Sequence, residues 1–169
     1  MLALVLLACT KPTVDDSSTD SETSAATEVV VINEFMASNT STIATEEGDY
    51  SDWIELYNPG DEDVDLAGWT ITDDLSVPTK HVLLSQTVPA GGFLILWADD
   101  DEEELGTGHL GFHLSVDGES IGLYREDGSA SDTLEYDPQA EDLSSARVPD
   151  GSTNWVITDE PTPGESNGS

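Results

Sequence analysis

The chain has 169 residues, 36 of them acidic and only 4 of them Lys or Arg, for a formal net charge of −32. Phosphate backbones are held by basic side chains that displace counterions, and Lys11, Lys80, Arg125 and Arg147 are too few for that. Nucleic acid and anionic membrane surfaces are thereby excluded as primary partners, and the single Cys excludes an intrachain disulfide.

Residues 1–8 form an apolar run, Met-Leu-Ala-Leu-Val-Leu-Leu-Ala, directly before Cys9. The run is too short to cross a bilayer as a helix. It reads as the end of a secretory signal, with a small residue before the cut. Leu6-Leu7-Ala8-Cys9 resembles a bacterial lipobox, which implies that Cys9 becomes the lipidated first residue of the mature chain. No Lys or Arg precedes the run, so a start further upstream is expected. Thr10 is not the Asp that some bacteria use for inner-membrane retention, which favours outer-membrane sorting of the anchored chain, with secretion as the alternative. Residues 10–28 are rich in Ser, Thr and Asp and hold few apolar side chains. They cannot bury enough surface to offset their ordering entropy. The expectation is a disordered acidic tether over 9–28 with an rms span of roughly 25 Å.

The folded domain is expected over 29–167. Val29–Met36 is a strand dominated by β-branched residues. Residues 37–50 are polar and read as a loop. Asp52–Tyr57 is a second strand, closed by the turn Asn58-Pro59-Gly60-Asp61, where Pro presets φ and Gly supplies positive φ. From Val64 to Thr72 the pattern alternates at period 2 and nominates Leu66, Trp69 and Ile71 for the core. Val82–Leu84 is a short strand. Phe93–Trp97 is almost continuously apolar and is expected to be central, with both faces covered. Asp99–Glu104 is a run of six acidic residues and is expected to be an exposed loop. Further short strands fall at 112–114, 120–124, 132–136, 146–148 and 155–157, separated by Gly-, Pro- or Asp-containing turns. No stretch carries apolar residues at helical spacing over helical length. The spacing predicts an all-β fold, a β-sandwich.

Several blocks in this order resemble the lamin-tail domain in its bacterial exported form. They are Ile32–Asn39, Asp52–Asn58, Val64–Trp69, Pro89–Leu94, Phe112–Ser115 with Gly118–Ile121, and the closing Pro161-Thr162-Pro163-Gly164. The resemblance covers residues 29–167 and implies a non-catalytic Ig-like module on a surface or secreted protein. It implies binding, adhesion or structural interaction with an envelope or extracellular protein or glycan. The alternatives are an accessory module of a secreted nuclease or phosphoesterase system, or a carbohydrate-binding module.

The residues themselves offer few catalytic signals. No Gly-x-Ser-x-Gly elbow occurs, and pairs of carboxylates carry no information in so acidic a chain. His109 and His113 share a strand face at about 13 Å, too far for a joint metal site, so structural or surface roles are expected for the histidines. The sharper expectation is calcium, which takes six to eight oxygen ligands. Asp99 and Asp101 would supply carboxylates from the acidic loop. Glu34, Asn39 and Asp52 would converge on them if the first loop folds back as it does in the family. No resident cofactor is otherwise expected, and the charge favours a monomer. Trp53, Trp69, Trp97 and Trp155 all fall in strand patterns and are expected in the core, although any exposed one could stack on a sugar ring.

Overall fold

The computed structural model describes residues 29–101 and 106–168. The signal-like segment, Cys9, the expected tether and Glu102–Glu104 lie outside the described residues. Twelve strands follow one another: β1 Val31–Met36, β2 Asp52–Tyr57, β3 Val64–Asp65, β4 Thr70–Thr72, β5 His81–Val82, β6 Thr87–Val88, β7 Phe93–Ala98, β8 His109–Leu110, β9 Glu119–Tyr124, β10 Ala130–Tyr136, β11 Ser144–Arg147 and β12 Trp155–Thr158. A six-stranded sheet, β12-β11-β1-β2-β7-β8, packs on a four-stranded sheet, β10-β9-β4-β5, while β3 and β6 pair by themselves. The fold is all-β, an Ig-like sandwich.

The core lies between the two large sheets. Ile32 and Phe35 of β1, Ile54 and Leu56 of β2 and Leu96 of β7 meet Ile71, Ile121 and Leu123 of the opposite sheet. Leu66 and Trp69 join them, as their alternating pattern predicted. Phe35 lies 4.7 Å from the Tyr136 ring and 5.7 Å from the Trp155 ring, centroid to centroid. Such aromatic clusters bury large area and favour tilted contacts.

An irregularity in the register of β1 positions the polar cluster of this sheet. Ile32 pairs with Leu56, but Glu34 pairs with Glu55, so Asn33 is an extra residue. A bulge of this kind re-aims side chains locally. Beyond it, alternation places Phe35 in the core and leaves Glu34 and Met36 on the outer face, beside Glu55 and Trp53.

Three expectations need correction. The strand at Phe93–Ala98 is not fully covered: Phe93, Leu94, Ile95 and Trp97 are half-buried, because its outer neighbour β8 is only two residues long. The expected strand at 112–114 shrinks to a single bridge between Asp99 and His113. Its place is taken by β8, which runs parallel to β7 through the Trp97–His109 register. Asp99, assigned to an exposed loop, is buried.

All three described Lys and Arg side chains are engaged within the domain. Lys80 bonds Asp73 at 2.6 Å and lies over Phe112. Arg125 lies over Trp69, and Arg147 bonds Asp132 at 2.8 Å and lies over Trp155. The outward charge is therefore acidic. Screening weakens repulsion between exposed charges, so the melting temperature is expected to rise from low salt to molar salt. A flat response in a thermal scan would contradict this.

Candidate functional site

The outer face of the six-stranded sheet holds a cluster of buried polar side chains. Asn33, Glu34, Glu55 and Ser144 are each fully buried. A polar residue inside an otherwise apolar strand is tolerated only when its hydrogen bonds are made, and here they are. Asn33 bridges two acids: its Nδ2 donates to Glu55 Oε1 and to Asp150 Oδ1, both at 3.0 Å. Its Oδ1 accepts from Gly151 N at 2.9 Å.

The cover is the C-terminal segment after β12. Thr162 N donates to Glu34, 3.2 Å from Oε2, and Ser144 Oγ donates to Glu34 Oε1. Gly164 N donates to Glu55 Oε2 at 2.6 Å. Asn167 N donates to Asp150 Oδ1 at 2.9 Å, and Ser166 Oγ donates to Asp150 Oδ2. Asn167 Nδ2 reaches the carbonyls of Asn33 and Arg147. The sequence Pro-Thr-Pro-Gly suits this role. Proline stiffens the approach, and Gly164 presents its N–H from φ +81°, a left-handed conformation that side chains resist. The segment is a strap whose donors close over three carboxylates.

Burial sets the electrostatics. Glu55 is pushed up to about 7, chiefly by desolvation, against the lowering effect of its bonds from Asn33 and Gly164. Glu34 is raised for the same first reason, opposed by Ser144 and Thr162. Raised carboxylates are a usual mark of acid–base catalysis. These have no solvent exposure, and all four of their oxygens accept hydrogen bonds from the protein. A catalytic base must reach the proton it takes, and these two reach only the strap and its neighbours.

The five residues expected to hold calcium are not gathered at one point. The first loop does fold back, and Asn39 N donates to Asp52 Oδ1 at 3.3 Å. Desolvation raises Asp52 as well. Glu34, however, lies across the sheet: it pairs with Glu55, three residues from Asp52 along β2, so the two carboxylates face opposite sides. Asp99 is committed elsewhere, with Oδ2 2.7 Å from His109 Nδ1 and Oδ1 accepting from Asp101 N at 3.3 Å. Among the described residues, no group of three or more His, Cys, Asp or Glu side chains is arranged to hold a metal. His81 is buried and its Nδ1 accepts from Gly111 N.

Sequence reasoning missed Glu55, Asn33, Asp150 and the strap contacts. A signal was available: Asn33-Glu34 and Glu55 interrupt runs of large apolar residues, Val-Val-Val-Ile before and Phe-Met after, and Trp-Ile and Leu-Tyr around Glu55. A second anchor, also missed, fixes the first loop. Asp142 accepts from Thr40 N at 2.7 Å and from Ser41 Oγ at 2.6 Å, and these bonds, led by Ser41, hold its carboxyl down at about 2.

No curated protein matches the chain. The family model described as Lamin Tail Domain matches residues 23–138, more than half of the chain. Strand β11, which sits beside β1 in the sheet, and the strap both follow that span and complete the same sandwich. The chain belongs to the lamin tail domain family, whose domain is an Ig-like, non-catalytic module.

Proposed function

We propose that the chain is a non-catalytic binding module displayed at a bacterial cell envelope. Cys9 carries the lipid anchor, residues 10–28 space the domain from the membrane, and the sandwich contacts an envelope or extracellular protein or glycan. One observation carries the non-catalytic half of this reading. The side chains that most resemble catalytic groups, Glu34 and Glu55, are closed off beneath the chain's own strap. What remains for partners is the surface of loops and strand edges, the part of an Ig-like domain that varies without disturbing its core.

The display half rests on Leu6-Leu7-Ala8-Cys9. Acylation supplies roughly 0.8 kcal/mol per buried CH₂, enough for stable anchoring when more than one chain is attached. The test is metabolic labelling with a palmitate analogue, using residues 1–169 placed behind a basic leader in a diderm bacterium. The chain is expected to take up label and sediment with membranes, and Cys9→Ser to do neither. Equal labelling of the two chains would overturn the anchor.

A further inference from the structure

The outer face of β7 ends in a cleft that the carboxylate cluster does not use. Its floor is Ile95 and Trp97, both half-buried. One wall is the turn carrying Glu46 and Glu47, closed by bonds between Thr45 and Asp49 and between Gly48 and Thr45. The other wall is the turn at Thr107–His109, held to β7 by Trp97 N donating to Gly108 O at 2.8 Å. Gln86 stands at one end, and the enclosed space is about 310 Å³. Small-molecule sites begin at about this size.

We infer that this cleft binds one ring of a neutral glycan, stacked on Trp97. The inference rests on the reading of the domain as a binding module and names its ligand class. The apolar face of a pyranose matches an indole floor. The rim supplies both senses of hydrogen bond, as hydroxyl groups require. Glu46 and Glu47 accept only, and so does Nε2 of a neutral His109 whose Nδ1 donates to Asp99, whereas Gln86 and Thr107 can donate. An ammonium ligand would need acceptors alone, and recognition of quaternary amines uses a cage of several aromatic walls rather than one.

His109 is the fixed member of the rim. Its register beside Trp97 places both side chains on one face, and Asp99 Oδ2, 2.7 Å from Nδ1, sets the ring's orientation. Asp99 is two residues beyond Trp97 on that face. An acid expected to bind calcium therefore serves to orient an imidazole at the end of an aromatic platform. The net charge of −32 repels uronic and sulfated sugars. The larger depression of about 660 Å³ near Asp73, Asp117 and Asp137 lacks such a floor: Tyr136 is its one aromatic, and the hydroxyl of Tyr136 lies 3.0 Å from Glu119.

The test uses the full chain with cellotriose, mannotriose and an N-acetylglucosamine trimer as neutral probes. A galacturonic acid trimer and choline chloride are the charged arms. Saturation-transfer NMR is expected to show contact with at least one neutral trisaccharide at millimolar concentration, and with neither charged probe. Trp97→Ala is expected to weaken that contact about tenfold or more. Gln86→Ala, on the rim and away from the core, is expected to weaken it without moving the melting temperature. Trp155→Ala, at the other end of the sheet, is expected to leave it unchanged. No neutral binding, full binding by Gln86→Ala and a folded Trp97→Ala, or a preference for choline would each overturn the site. None of these results touches the Cys9 labelling, so the two readings can fail separately.

Discussion

Replacing Asn33 by Ala is expected to lower the free energy of unfolding by about 3 kcal/mol or more, read by urea titration. The change deletes three hydrogen bonds and leaves Glu55 Oε1 and Gly151 N without partners in a buried site. Each stranded buried group costs about 1–3 kcal/mol. Asn33 also stands between the carboxyl groups of Glu55 and Asp150, donating to both, so above about pH 7, where Glu55 is ionised, its loss leaves two like charges facing one another. Asn33→Asp keeps the volume but puts a third carboxylate there, and is expected to be worse at pH 8 and to recover at pH 5. A loss within about 0.5 kcal/mol for Asn33→Ala, the range of ordinary surface changes, would show that the cluster does not hold the fold.

The domain is expected to be more stable at pH 5 than at pH 8, by about 3 kcal/mol. The folded state keeps the Glu55 proton up to about pH 7, while an unfolded glutamate releases it near its ordinary value of about 4.3. Between those values the folded state binds more protons, so stability falls as pH rises. The contribution is fully present below the unfolded value and lost as pH rises through 7. A difference of two to three pH units corresponds to about 3 kcal/mol at 1.36 kcal/mol per unit. Glu34 shifts in the same direction. The groups held low, Asp74, Asp127 and Asp142, lie on the surface and act only at still lower pH. Glu55→Gln should remove most of the slope and destabilise the domain at every pH, because an amide nitrogen cannot accept from Gly164 N or Asn33 Nδ2 as an acid oxygen can. A variant retaining the full slope would place the titration elsewhere.

The strands that could be read from sequence are those whose residues alternate or run apolar within a local pair. Asp52–Tyr57 emerged with the expected bounds, and Leu66, Trp69 and Ile71 are buried as their period required. The strand at His109–Leu110 was not legible. It is two residues long, begins directly after a glycine, and exists because a parallel partner, β7, presents Trp97 and Ala98 to it. Nothing local announces such a pairing. Trp53 and Trp69 are buried as expected, whereas Trp97 and Trp155 are half-buried because each lies near an end of the six-stranded sheet.

The site was legible only in part, and for a physical reason. In a chain with 36 acids, composition hides the few that matter. What distinguishes Glu34 and Glu55 is their apolar context, not their number. The closing Pro161-Thr162-Pro163-Gly164 was visible as a family feature, but its task became clear only when Thr162 and Gly164 were found bonded to those two carboxylates, over a hundred residues away. The bulge at Asn33 joins the two observations: without the extra residue, Asn33 and Glu34 would point to opposite faces.

Glu55 is a buried acid held beneath the strap rather than a solvated one. Carbon-13 NMR of its side-chain carboxyl across a pH titration tests this directly. A midpoint near 7 in the intact domain is the expected result. A midpoint near the ordinary glutamate value of about 4.3 would mean that water reaches the group and that the strap does not close over it.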